Sequence, residues 1–233
     1  MEIIKTKYLK LTFKYNFLSK ILKCSSRTKI KNLKNNKVLE RESNYFVINE
    51  NGMRPLLFIH SGMYSKNPLN YQIKFLKKLA TLTNYKIYIP FYTSPNPSSI
   101  LNFINSFSSP SILCQGLGGG ITFSLYNKLN NIQKIVCISP WMQLSSPFLD
   151  AKVREDFKVL NAPYLTELDD NVESLIINGE HELLRGYISI FCKNNISKNI
   201  KWLEYENMAE GFVFYPSLEA VEPTRIIADF LQN

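Results

Sequence analysis

Histidine is nearly absent from this chain: of 233 residues only His60 and His181 carry an imidazole, and none follows position 181. A catalytic arrangement that takes its base from the end of the chain is thereby left without one, and a histidine-rich metal site is excluded. Cys24, Cys114, Cys137 and Cys192 lie far apart, with no CxxC pair and no histidine at metal-ligand spacing, so neither zinc nor a disulfide framework is indicated. They suit a reducing interior, and no metal or cofactor is expected. The chain has no 18-residue apolar run and no secretory h-region, which predicts neither a transmembrane segment nor export. Internal repeats are lacking, as are RRM, KH and zinc-knuckle patterns, so there is no direct nucleic-acid motif.

Acidic residues are missing from one stretch in particular. Residues 1 to 39 hold ten lysines and Arg27 against the single acid Glu2, a net charge of +10, while the remaining 194 residues carry a net charge of −1. The overall basicity therefore describes a leader, 1–43, and not a nucleic-acid groove on the domain that follows, 44–233. Within the leader Ile4, Tyr8, Leu11, Tyr15, Leu18 and Leu22 recur at helical spacing, with Lys7, Lys10, Lys14 and Lys20 largely off that face. A basic amphipathic segment followed by Cys24-Ser25-Ser26-Arg27-Thr28 has the composition of a mitochondrial transit segment, which predicts a matrix or inner-membrane-surface location; the alternative is cytoplasmic. A competing alternation through Leu9, Leu11, Phe13, Tyr15 and Phe17 reads as strand, and a membrane-surface helix, an RNA-touching tail and a solvated extension also fit.

Past the leader, short apolar runs alternate with helix-length amphipathic stretches, the pattern of an α/β layer fold. Leu56–Ile59, Ile87–Ile89, Ser111–Cys114, Ile135–Ile138, Leu175–Ile177 and Ile200–Tyr205 read as strands, most of them the continuous runs of a parallel sheet buried on both faces. Tyr71, Phe75, Lys78, Leu79 and Leu82, then Ile100, Phe103 and Ile104, then Leu184, Tyr187, Ile188 and Phe191 fall at helical spacing and read as core stripes. The expectation is one domain with a mostly parallel central sheet and helices on both faces. The stretch between Leu144 and Val172 is short and polar, leaving room for only a reduced lid, or none.

Five segments carry the chemistry. Cys114-Gln115-Gly116-Leu117-Gly118 joins a strand to a helix over Gly119–Leu129, the setting of a G-x-S-x-G nucleophile elbow with glycine at the serine position. His60-Ser61-Gly62-Met63 follows the first strand of this run, Pro90 to Pro95 the second, Ser139-Pro140-Trp141 the fourth, and Met208-Ala209-Glu210-Gly211-Phe212 the last. Taken in order, these resemble the oxyanion loop, the Asp-Tyr-Arg-Leu-Ala-Pro loop, the Ser-Pro-Trp segment and the His-Gly-Phe segment of the hormone-sensitive-lipase-like branch of the α/β-hydrolases. The resemblance implies an α/β-hydrolase fold, an oxyanion-loop remnant at His60, Ser61 and Gly62, and an elbow at Gln115, Gly116, Leu117 and Gly118. It also places the triad acid at His181 or Glu182 and the triad base at Glu210.

On that alignment the triad is degenerate at Gly116, His181 or Glu182, and Glu210, and no catalytic residue is assigned. The expected function is non-catalytic: binding to protein partners within a mitochondrial assembly such as the gene-expression machinery around the mitoribosome. One alternative is a carboxylic-ester hydrolase, esterase or steryl-ester-deacetylase-like, with an atypical site. Another is a small-molecule receptor that keeps a small apolar ligand in the degenerate pocket, as the branch's gibberellin receptors do after losing the triad histidine.

Overall fold

The computed structural model describes residues 45–60, 68–90, 97–144, 162–196 and 198–233, together with the backbone strands 2–4 and 40–42. The strands are β1 (Glu2–Ile4), β2 (Glu40–Glu42), β3 (Tyr45–Ile48), β4 (Arg54–Ile59), β5 (Tyr85–Pro90), β6 (Ser111–Gln115), β7 (Lys134–Ile138), β8 (Glu173–Gly179) and β9 (Ile200–Tyr205). The α-helices are α1 (Asn70–Thr83), α2 (Pro97–Asn105), α3 (Leu117–Ser124), α4 (Arg185–Asn194) and α5 (Val221–Gln232). One sheet takes all nine described strands in the order β1-β9-β8-β7-β6-β4-β5-β3-β2. Pairing is parallel from β1 to β5 along that order and antiparallel at β5–β3 and β3–β2.

Successive residues of a strand face opposite sides of the sheet, so an unbroken apolar run feeds two cores at once. Leu56 and Phe58 join α1 and α5 on one face, through Ile73, Leu76, Leu79, Ile227 and Leu231. Leu57 and Ile59 join α2, α3 and α4 on the other, through Ile100, Ile104, Ile121, Phe123, Ile188 and Phe191. The mostly parallel sheet with helices on both faces is the expected architecture, and every strand read from the sequence is present with modest changes at its ends.

The helices differ from expectation in two places. The helix expected over Gly119–Leu129 starts at Leu117, directly on the Gly116 turn, and ends at Ser124, after which Tyr126–Lys128 tighten into a 3-10 turn. On α1 the buried face runs through Gln72, Ile73, Phe75, Leu76, Leu79, Ala80 and Thr83. Lys78 and Leu82, read as part of that stripe, point outward, because the stripe is set by its neighbours Leu76 and Ala80. The stretch read as a leader contributes two strands: β1 lies parallel to β9, with Ile3 opposite Glu204, and β2 lies antiparallel to β3, with Arg41 opposite Phe46. The helical reading of the leader, the segment Phe91–Pro95 and the lid positions 145–161 lie outside the described residues. No described helix is long and apolar enough to cross a membrane.

Candidate functional site

Parallel strands that all point the same way deliver their following loops to one edge of the sheet, and the crevice there is where such folds place chemistry. The loop after β6 is the sharpest. Gly116 has φ 53° and ψ −122°, a region that only glycine enters freely, and it caps α3 directly. Its carbonyl accepts from Gly119 N at 3.0 Å and from Trp141 N at 2.8 Å, while its own N–H donates to Ile138 O at 3.1 Å. The turn is sharp, has a positive φ, and carries no side chain at Gly116. The following glycines serve a different purpose, since a Cβ on Gly118 would lie 2.0 Å from Ile59 O and one on Gly120 2.2 Å from Trp141 O. They let α3 press against β4 and against the loop after β7.

The loop after β8 holds the two candidate acids, and the geometry separates them. His181 is exposed, its backbone N–H spent on Met208 O at 2.9 Å. Glu182 turns inward, and its Oε1 accepts from Ser139 Oγ at 2.6 Å and from Gly179 N at 2.7 Å. Burial pushes the Glu182 carboxyl up to about 8. The two hydrogen bonds act in the opposite direction, and the charges of Glu210 and Glu204 add to the rise. Glu204 behaves oppositely, its carboxyl held below the usual range by Arg185, whose Nε and Nη2 reach it at 2.7 and 2.6 Å.

Glu210 occupies the loop after β9. Its Oε1 accepts from Trp141 Nε1 at 2.7 Å, and burial raises its carboxyl although that bond pulls it down. Trp141 therefore joins two loops, through its backbone to the elbow carbonyl and through its indole to Glu210. Ser139 does the same for the other pair: its hydroxyl donates to Glu182 and accepts from Gly211 N at 2.8 Å. Ser139 adopts φ 50°, an unusual conformation for a residue with a side chain, held by this pair of bonds and by its N–H to Ile177 O at 2.8 Å.

A chain of buried amides completes the site. Gln72 Oε1 accepts from Leu69 N at 2.6 Å and its Nε2 donates to Gln115 Oε1. Gln115 Nε2 faces Gly211, where an added Cβ would stand 3.4 Å from it. The start of α1 and the residue before Gly116 are thus linked through neutral groups, with Gly211 of the loop after β9 packed beside them. His60 is buried at the end of β4 and stacks on Phe58, with ring centroids 6.1 Å apart. Ser61 and Gly62 lie outside the described residues.

Gly116, Glu182 and Glu210 meet around the Ser139-Pro140-Trp141 loop, whereas His181 stands away from it. Sequence reading used Ser139 and Trp141 only as marks of resemblance and passed over Gln72. For Ser139 and Trp141 the position just past a buried strand was the available signal, whereas Gln72 lies within α1. Cys114 is fully buried, with Sγ 2.6 Å from that of Cys137, and burial together with Cys114 holds the Cys137 thiol well above its ordinary value. Such thiols are packing groups rather than nucleophiles. Among the described residues no three His, Cys, Asp or Glu side chains are grouped to hold a metal ion.

No family model matches the sequence, and no curated protein matches it. Solved structures do match the fold. A Staphylococcus aureus protein crystallised as a candidate esterase superposes with a TM-score of 0.74 at 15% identity, covering 95% of this chain and 92% of that one. The hormone-sensitive-lipase homolog EstE7 from a metagenome library gives 0.69 at 14%, covering 94% and 92%. An esterase from the bacterial hormone-sensitive lipase family gives 0.70 at 14%, covering 95% and 97%. The fold is the α/β-hydrolase fold, shared with solved structures that are described as esterases, among them members or homologs of the hormone-sensitive-lipase family.

Proposed function

We propose that this chain uses an α/β-hydrolase scaffold for binding and does not turn over esters. The observation that carries the reading is Gly116: the backbone of a nucleophile elbow is present at φ 53°, and the residue on it has no side chain. Acyl transfer by the elbow route needs an oxygen or sulfur at that Cβ and an imidazole to take its proton. Here the base position carries Glu210, already engaged by Trp141, and the acid Glu182 has no histidine to orient. What remains at these loops is a pair of carboxyls, Glu182 and Glu210, that burial keeps in their protonated forms more readily than usual.

The structural neighbours speak for the second reading, a carboxylic-ester hydrolase with an atypical site, more than for a binding role. At 13–15% identity that likeness carries the fold and leaves the nucleophile to be found. In this reading water attacks the acyl carbon, Glu210 takes its proton, and the alcohol leaves with that proton. Ester turnover by wild type and by Glu210→Gln separates the two readings.

The basic stretch over residues 1 to 39 supports a mitochondrial location for the binding protein, with protein partners in the matrix or at the inner membrane; the gene-expression machinery is the partner assembly we put forward. A receptor for a small apolar ligand is the remaining form of the binding reading.

A further inference from the structure

A cleft lies on the far side of α1 from the Gly116 turn. Gln72 turns toward Gln115 and the site, whereas Tyr71, Lys74, Phe75 and Lys78 turn toward the segment that follows the loop after β9. Between them and Val213–Ser217 opens a cleft of about 450 Å³, within the size range of small-molecule sites. Its wall is aromatic and fixed. Phe214 packs edge-on to Phe75 with ring centroids 4.8 Å apart and lies 6.2 Å from Phe58 in the core, and Tyr71 meets Tyr215 at 5.5 Å. Leu218 and Val221, next to the lining residues Ser217 and Ala220, are exposed large apolar side chains.

The polar groups of this cleft are few. Lys74 and Lys78 stand one helical turn apart on the exposed side of α1, and both line it. Ser217 Oγ is buried with no hydrogen-bond partner among the described residues, although it lines the cleft. A buried hydroxyl without a partner costs free energy unless a bound group satisfies it. Among the described residues the lining contains no acid. The acid nearest in sequence, Glu219, is buried and its Oε1 is also without a hydrogen-bond partner, but it is not part of the wall.

We propose that this cleft is a binding site for an amphiphilic carboxylate, an aliphatic or aryl-alkyl acid. Its apolar body lies on Tyr71, Phe75, Phe214 and Tyr215, and its carboxylate lies at the mouth between Lys74 and Lys78, within reach of the Ser217 hydroxyl. The aromatic wall supplies the affinity by removing apolar surface from water, and the lysine pair supplies the preference for an anion. The site shares no lining residue with the elbow, so the proposal stands whether or not the protein hydrolyses esters.

The test is calorimetric titration of the full-length chain with decanoate, decanol and decylamine below their aggregation limits. Decanoate is expected to bind more tightly than decanol, and decylamine least tightly. Lys74→Gln with Lys78→Gln should weaken decanoate by roughly three- to tenfold, bringing it to the level of decanol and leaving decanol unchanged. Ala220→Leu, which narrows the cleft, should weaken all three, with an unchanged circular dichroism spectrum certifying the fold of each variant. The proposal is overturned by absence of decanoate binding to the wild-type chain. Unchanged decanoate affinity in the double lysine variant overturns it as well, and so does tighter binding of decylamine than of decanoate.

Discussion

Ser139 Oγ lies 2.6 Å from Glu182 Oε1, and the same hydroxyl accepts the backbone N–H of Gly211 at 2.8 Å. One short side chain on the loop after β7 thereby fixes the loop after β8 and the loop after β9 relative to each other. Ser139→Ala removes both bonds at once and leaves a buried carboxyl and a buried N–H each short of a partner, at a cost of about 1–3 kcal/mol for each group so stranded. Chemical denaturation of wild type and Ser139→Ala checks this, and a loss below about 0.5 kcal/mol would mean that the hub is not structural.

Glu182 makes stability depend on pH with an unusual sign. Its folded value near 8 lies above that of an unfolded carboxyl, so the native chain keeps a proton that the unfolded chain has already released. Stability from this group is fully present at acid pH and is lost as pH rises from about 4.5 toward 8, with a slope of about 1.4 kcal/mol per pH unit for each proton retained. Glu210 is shifted in the same direction. Glu182→Gln keeps an oxygen for Ser139 and Gly179 and removes the titration. The variant should lose less stability than wild type between about pH 5 and pH 8, and should be the more stable of the two at the upper end. Parallel urea curves across the range would contradict this.

Gly116 supplies a conformational test. At φ 53° and ψ −122° any Cβ is strained, and Gly116→Ala should destabilise by about 1–3 kcal/mol. An alanine variant as stable as wild type or more so in thermal melts would mean that the turn is not an elbow.

Trp141→Phe tests the link between the Gly116 turn and Glu210. Phenylalanine keeps the ring and loses the N–H that reaches Glu210 at 2.7 Å. Because that bond holds the Glu210 carboxyl down, its removal raises the group further, and the loss of stability should grow as pH increases. A deficit that stays constant with pH would assign the effect to packing alone.

The sheet was readable from the sequence because strands buried on both faces must be apolar at every position, and Leu56–Ile59 or Leu175–Ile177 allow little else. The glycine turn was readable for a related reason, since glycine suits both the positive φ at 116 and the close approaches at 118 and 120. The stripe on α1 was misplaced at Lys78 and Leu82, where periodicity alone does not say which of two adjacent rows faces the sheet. The choice between His181 and Glu182 was not legible either, because it depends on Ser139, more than forty positions away in the chain, offering a hydroxyl. The strands at 2–4 and 40–42 escaped notice because each is three residues long and pairs at the sheet edge through backbone groups, which leave no side-chain pattern.

The location proposal can be checked with a reporter. Residues 1–43 fused to a fluorescent protein should direct it to mitochondria. Cytosolic fluorescence would overturn the proposal, and would leave β1 and β2 as the only roles assigned to that stretch.

The central claim is binding without turnover, and hydrolysis of short p-nitrophenyl acyl esters by the purified full-length chain tests it most directly. Wild type, Glu210→Gln and Gly116→Ser are expected to release nitrophenol no faster than a heat-treated control, the last because a serine without an imidazole stays a weak nucleophile. Wild-type turnover above that control, abolished by Glu210→Gln, would contradict the claim and make the chain an esterase that works without an elbow nucleophile.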